Sequence, residues 1–337
     1  MRTNQPTPGR AGFTLIEMMV VIAIIGLLLA ALLPAFSTVR TKARYAQANA
    51  QFGALDTGLT MFRTEFGTLP PSAGDLKPEL SQYIADPKDE SATELVWIAG
   101  AHLLFQAMLG ADGLGTPGFK DVDRNGSWAN DTHSGENGIY EIDKTTGKEL
   151  HARYGGAGYV DEKMKERVKS LADLETQGVL VNLASFERIA RNEPLFVDPW
   201  DTPILYYRAN SAALRMIGND ENAGIYWQED NGIITGSDRK GKTTDGLDFG
   251  AGRVQGSYHA IRLSICPEPV VPPGTDPAQE VLTNPQYAGS FARFIINSSI
   301  KARPTPVNKD SYLLISAGPD ARYGTEDDVT NWKKATE

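Results

Sequence analysis

The chain has 337 residues, of which 41% are hydrophobic and 22% charged, enough apolar material for a folded protein and too much for a disordered one. Thirty-three Lys and Arg against forty-two Asp and Glu leave a net charge of −9, which argues against nucleic acid as a partner and favours divalent cations over phosphates. Cys266 is the single cysteine, so no intrachain disulfide can form and the thiol reads as a small buried hydrophobe; His102, His133, His151 and His259 include no His-x-x-x-His pair, which leaves zinc unsupported.

Residues 1–12 are polar and carry Arg2 and Arg10. From Phe13 to Leu33 the chain is apolar for 21 residues, about 30 Å as a helix and enough to cross a bilayer's hydrocarbon. Glu17 is the polar intruder in this run. An ionised carboxylate in hydrocarbon costs several kcal/mol unless it is paired. A cut between Gly12 and Phe13 would create an α-ammonium one helical turn away, a counter-charge for Glu17 on its own or a neighbouring chain. Basic residues lie on both sides, Arg2 and Arg10 before and Arg40, Lys42 and Arg44 after, so charge leaves the orientation open. A secretory signal cut near Leu29-Ala30-Ala31-Leu32 also fits the hydropathy. So does an uncleaved signal anchor, although that reading leaves Glu17 unexplained.

The run Gly12-Phe13-Thr14-Leu15-Ile16-Glu17, followed by the apolar helix and Pro34, resembles the processing signal of type IV pilins and type II secretion pseudopilins. That resemblance implies a leader of residues 1–12, a peptidase cut after Gly12, N-methylation of Phe13, and a register role for Glu17 against a neighbour's N-terminus. It further implies that residues 13–34 cross the bacterial inner membrane once and become the filament core, with the leader cytoplasmic and the head periplasmic. The implied partners are other pilin-like subunits in a helical filament, the prepilin peptidase, an inner-membrane assembly platform and membrane lipid.

Beyond Pro34 the helical pattern resumes over residues 35–67. Val39, Ala43, Ala46 and Ala50, then Leu55, Leu59, Phe62 and Phe66, recur at helical steps and predict one apolar stripe. A helix from Phe13 to Phe66 would be ~80 Å long. Gly53 and Gly58 each weaken it by up to about 1 kcal/mol, so its second half needs a sheet to lean on. Gly67-Thr68-Leu69-Pro70-Pro71 stops it. A linker to Lys88 precedes a second predicted helix over 91–109, with Leu95, Val96, Ile98, Leu103, Leu104, Met108 and Leu109 as its buried face. Residues 110–156 read as loop with at most a short hairpin, and the charged stretch 160–191 reads as helix. Strands are predicted at 203–208, 259–265 and 312–316 from β-branched and aromatic enrichment. The expected fold is α+β and pilin-like: a long N-terminal helix packed on a small antiparallel sheet, with inserted helices and loops in a head of residues 68–337.

The acidic loop at 316–332 holds the strongest site signal. Asp320, Glu326, Asp327 and Asp328 place four carboxylates within nine residues, and Gly318 and Gly324 permit tight curvature. Hard oxygen donors without His or Cys favour Ca²⁺, and the alternative is a solvated acidic turn. The segment resembles the C-terminal calcium loop of the major pseudopilin of type II secretion, the G subunit. Asp198-Pro199-Trp200-Asp201-Thr202-Pro203 is similar to that protein's Asp-Pro-Trp-Gly-Asn-Pro strand entry, with Asp201 in place of the usual Gly. Carried over by position, Asp320, Asp327 and Asp328 supply side-chain oxygens, with Glu326 as a further candidate and backbone carbonyls of 314–316 and Tyr323 completing the shell. A weaker second metal candidate is Asp121, Asp123 and Asn125, the first half of an EF-type loop whose twelfth position is Thr132, not Glu; such strings also make simple Asx turns.

No Gly-x-Ser-x-Gly elbow and no strand-linked Gly-x-Gly-x-x-Gly is present, and the chain is not read as an enzyme. Trp200, Tyr206 and Tyr207 read as core. Segments of about 72–195 and 209–310 exceed the G-type pattern. The chain is therefore expected to be a structural subunit of a type II secretion filament, contributing to protein secretion across the outer membrane. Open alternatives are a minor or tip pseudopilin, an adhesive type IV pilin, a membrane-anchored carbohydrate-binding module and an anchored hydrolase.

Overall fold

The computed structural model describes residues 14–72, 98–109, 141–142, 149–150, 159–181, 183, 191–213, 224–235, 247–249, 291–300 and 304–332, with side chains of the first segment at 14–30 and 38–72. Gly12, Phe13, Asp121, Asp123, Asn125, Cys266, residues 73–97 with the start of the second predicted helix, and the predicted strand at 259–265 lie outside the described residues. Residues 1–46 and 47–337 form separate compact units.

Helix α1 spans Leu15–Phe66 and runs on through Pro34. Its end is where the glycine and prolines predict it. Gly67 adopts φ 73°, a left-handed value that a side chain disfavours, and donates its amide to the Arg63 carbonyl at 2.9 Å. In the first unit the side chains of 14–30 are all exposed. Among the described residues no helix is long and apolar enough to cross a membrane; the apolar run is described with side chains over 15–30, short of the ~20 residues a span needs.

The expected stripe on α1 is half right. Leu55, Leu59 and Phe62 are buried, together with Ala48 and Phe52, so the buried face steps regularly by four and three residues. Val39, Ala43, Ala46 and Ala50 are exposed. The five-residue step from Ala50 to Leu55 turns a helix by about 500°, which puts the two runs on faces ~140° apart. They lie on two faces and form no single stripe.

In the second unit a three-stranded antiparallel sheet holds the order β6 (Leu205–Arg208), β8 (Tyr312–Ser316), β9 (Val329–Thr330). The central strand β8 is buried at every residue, with Leu205 opposite Ile315 and Tyr207 opposite Leu313 on one side and Ser316 opposite Val329 on the other. Helix α2 (Gly100–Leu109) lies against β6 and against β5 (Pro194–Phe196), with the Phe105 and Phe196 rings 5.5 Å apart. It starts later than predicted, and its buried face includes Leu103, Leu104, Met108 and Leu109 as expected. Asn231 bridges its first turn to the sheet, accepting from the Ala101 amide at 2.9 Å and donating to the Tyr206 carbonyl at 2.7 Å.

Residues 160–191 do not form the predicted long helix. They hold α3 (Glu162–Lys165), β3 (Val168–Ser170), α4 (Leu171–Thr176) and β4 (Leu180–Val181). The Lys and Glu content favours helix, but pairing of Val168 with Phe196 and Ser170 with Pro194 takes β3 into a sheet. A reciprocal cap of Ser170 and Asp173 then opens α4, and Gly178 at φ 70° closes it. Within 110–156, β1 (Glu141–Ile142) and β2 (Glu149–Leu150) pair antiparallel, the short hairpin allowed for there. β4 pairs with β7 (Asp248–Phe249). Leu171, Leu174, Leu180 and Phe249 share one core with Leu205, Tyr207, Leu313 and Ile315. Two short helices add to it, α5 (Gly232–Thr235) through Ile234 and α6 (Phe291–Ile295) through Phe291 and Ile295.

Candidate functional site

Strands β8 and β9 are hydrogen-bonded neighbours, so the acidic residues between them sit on a closed excursion whose ends are fixed by the ladder. The chain leaves Ser316 into a 3₁₀ turn, Gly318–Asp320, and reverses through three left-handed residues: Gly318 at φ 65°, Ala321 at 59° and Gly324 at 92°. A Cβ placed on Gly318 would stand 2.4 Å from the Asp327 carbonyl oxygen, so only glycine lets the two arms of the loop approach so closely. Tyr323 is fully buried and donates its hydroxyl to the Pro203 carbonyl at 2.6 Å, which pins the middle of the loop to the turn that leads into β6.

This path brings Asp320, Asp327 and Asp328 together: one carboxylate oxygen from each lies within 4.8 Å of the others. Asp328 is buried and the other two are half-buried. Asp320 accepts from the Arg322 amide at 2.8 Å, and Asp327 accepts from the Asp320 amide at 3.2 Å and the Thr325 hydroxyl at 2.6 Å. Asp328 accepts from the Gly324 amide at 2.7 Å and the Thr325 hydroxyl at 3.0 Å. Burial pushes the Asp328 pKa up to about 8 in spite of those donors, and the Asp320 charge adds to the rise. Asp320 also rises, through burial and then the Asp327 charge, with the Arg322 amide acting against it. Three crowded carboxylates, two of them pushed up by burial, form a donor set that could hold a metal ion with hard oxygen preference, such as Ca²⁺.

Glu326 is exposed and stands outside the trio. The Leu314 carbonyl, one of the expected backbone ligands, accepts from the Asn331 amide at 3.3 Å, because Asn331 continues the ladder past β9. Tyr206 and Tyr207 are in the core as expected, and Trp200 is half-buried.

Sequence reading missed the role of the turn at 198–202. Asp198 has no exposed surface and collects the Trp200 amide at 2.8 Å, the Thr202 amide at 2.9 Å, the Thr202 hydroxyl at 2.5 Å and the Ser316 hydroxyl at 2.6 Å. Burial raises its pKa, and the Ser316, Thr202 and Trp200 donors pull against that rise. Asp201, where the similar turn has Gly, adopts φ 65°. A left-handed aspartate is strained by about 1–2 kcal/mol, and here its carboxylate meets Lys169 at 2.9 Å and Arg167 at 3.5 Å, both from the β3 side.

At the other end of the chain, Thr14 and Glu17 cap α1 reciprocally. The Glu17 Oε2 accepts from the Thr14 amide and hydroxyl, each at 2.8 Å, while the Thr14 hydroxyl accepts from the Glu17 amide at 3.3 Å. The signal was present as Ser/Thr-x-x-Glu before an apolar run. Glu17 therefore has local donors in addition to any ammonium.

Residues 8–33 match the family model described as the prokaryotic N-terminal methylation motif. The match is to a motif found in type IV pilins and pseudopilins and extends over the N-terminal segment alone. It covers the junction at Gly12 and Phe13 and the capped start of α1, and with the long helix and small antiparallel sheets that follow it makes the arrangement α+β and pilin-like. No curated protein and no solved structure matches the chain.

Proposed function

We propose that this protein is a structural, non-enzymatic subunit of a type II secretion pseudopilus-like filament. Prepilin peptidase removes residues 1–12, Phe13 is N-methylated, and α1 anchors the subunit in the inner membrane before it becomes the filament core. The observation that carries this reading is the methylation motif over residues 8–33 placed directly on a helix that continues to Phe66. Exposed leucines and isoleucines on that helix support it, because each gains about 1.5–3 kcal/mol when hydrocarbon or a neighbouring helix covers it. Intact mass and N-terminal sequencing of the protein extracted from membranes of a peptidase-competent cell test it. The expected product begins at methylated Phe13; an intact Met1 end would sink the reading.

The acidic trio is the proposed Ca²⁺ site of the head. Asp320, Asp327 and Asp328 hold the ion, which neutralises their mutual repulsion and ties the β8–β9 excursion to the sheet. Its contribution is to folding and assembly, since binding free energy at such a site is folding free energy. The resemblance of this loop to the G-type calcium loop supports a secretion role.

A second reading, a minor or tip subunit or an adhesive pilin, is favoured by one observation. Residues outside the G-type pattern, including Leu171, Leu174, Leu180 and Phe249, are built into the same core as β6 and β8. The insertions contribute folded parts of the head, and they add surface that a minimal major subunit lacks.

A further inference from the structure

The buried Asp198 is 118 residues from its hydroxyl donor Ser316, and the two join separate parts of the head. The turn at 198–202 needs only the two amides, from Trp200 and Thr202, and both reach Oδ1. The other oxygen, Oδ2, takes the Thr202 and Ser316 hydroxyls. A serine hydroxyl has a single proton, so Ser316, having donated to Asp198, faces its lone pairs elsewhere. They receive the Gly318 amide at 3.3 Å. Gly318 is the left-handed residue packed on the Asp327 carbonyl, and the Asp320 amide two residues on donates to the Asp327 carboxylate.

A directional chain thus runs from Asp198 through Ser316 to Gly318 and ends where the two arms of the acidic loop meet. The turn itself is also held from the β3 side. Arg167 donates to the Asp198 carbonyl and accepts the Val197 amide at 2.9 Å on its own carbonyl. Filling the same space with apolar groups would be nearly neutral for packing alone, whereas a buried carboxylate is costly unless its donors are all in place.

We propose that Asp198 is the positioning residue of the cation loop: through Ser316 it orients Gly318 and so sets the spacing of Asp320, Asp327 and Asp328, without touching the ion. This rests on the calcium reading of that loop. The isosteric Asp198→Asn separates positioning from packing. An amide nitrogen in the place of Oδ2 would donate to the two hydroxyls, so Ser316 loses the acceptor that fixes its proton, and the hydroxyl that receives the Gly318 amide is no longer held in one orientation.

The test is calorimetric titration of calcium into the full-length protein in detergent micelles, with the melting temperature in chelator measured alongside. For Asp198→Asn and for Ser316→Ala the calcium Kd should weaken at least tenfold. A packing role alone would lower the chelated melting temperature and leave the Kd within twofold of wild type, and that result overturns the proposal. Should Asp198→Asn fail to fold, Ser316→Ala decides by the same criterion. If wild-type protein takes no calcium, the calcium reading itself falls and the proposal with it, a result distinct from wild-type binding that the variants retain.

Discussion

The first half of α1 and the acidic loop invert the usual placing of polarity in opposite ways. Along 15–30, leucines, isoleucines and valines stand in the open, with Leu15 at 79% and Leu27 at 73% exposure. Between β8 and β9, carboxylates are drawn inward, with Asp328 at 6%. Neither arrangement is favourable for a lone chain in water. Exposed apolar surface forfeits about 25 cal/mol per Å², and a desolvated carboxylate loses its hydration. Under the proposed function each region is completed from outside, the first by an apolar medium or neighbouring helices and the second by a cation. The comparison teaches that exposed apolar surface and buried charge are opposite departures from the usual placing of polarity, and each marks where a partner would act.

The largest effect should come from breaking the helix end of this comparison. Glu17→Leu removes the reciprocal cap with Thr14 and, under the proposed function, the partner for a neighbour's N-terminus. Filament assembled in cells, measured by shearing and immunoblot, should drop at least tenfold with the calcium affinity of the head unchanged. Assembly at the wild-type level would favour an anchored binding module instead.

At the loop end, Gly318→Ala forces a left-handed alanine and a Cβ 2.4 Å from the Asp327 carbonyl. Strain and overpacking together should cost about 3–5 kcal/mol in chemical denaturation and abolish the calcium response. A loss below ~1 kcal/mol would mean that the two arms can part freely.

The third effect concerns pH and the ion together. Asp328 has a folded pKa of about 8, raised above its unfolded value, so between about pH 4 and 8 the folded protein binds more protons than the unfolded chain. In chelator the stability is therefore fully present at low pH, as far as this group is concerned, and falls as pH rises towards 8, by about 1.4 kcal/mol per pH unit at most. Calcium competes with that proton, so its stabilisation should grow over the same window, reaching ~2.7 kcal/mol at a hundredfold excess over Kd. Thermal melts of the full-length protein from pH 5 to 8, with calcium and with chelator, check both slopes. Asp320→Ala should erase the difference between the two series.

How much of this was legible in the sequence follows from the range of the interactions. The helix end at Gly67, the pairing partners 205–208 and 312–316, and the trio Asp320, Asp327 and Asp328 are all written in short local patterns. Two failures are long-range. β3 reads as helix because its strand character comes from Phe196 and Pro194, far along the chain. Asp198 reads only as part of a strand entry because its partner Ser316 lies 118 residues along the chain. One failure is local: Val39, Ala43 and Ala46 read as buried because each run is periodic by itself, while the five-residue step from Ala50 to Leu55 sets them on another face of the helix. The cap at Thr14 and Glu17 is local and readable, and is masked because a charge in an apolar run points first to a distant counter-charge.

The smallest predicted effect bears on what covers α1. Gly58 and Gly53 look alike in sequence, each a weak point in a helix. At Gly58 a Cβ would lie 2.8 Å from the Met108 sulfur and from the Tyr159 carbonyl, so the glycine is where the head closes onto the helix. At Gly53 there is nothing within 4 Å, and Thr57 donates to its carbonyl at 2.9 Å on the outer face. Gly53→Ala should therefore stabilise the isolated subunit by about 0.5–1 kcal/mol through helix propensity, read as a raised denaturation midpoint with an unchanged slope. Its effect on assembly is the sharper measurement. If Gly53→Ala gains stability yet lowers the yield of filament, a neighbouring subunit approaches the helix backbone there, and α1 is covered on its outer face well beyond the apolar run. Should filament yield stay at the wild-type level, subunit contacts end N-terminal to Gly53, and the head shields the rest of the helix by itself.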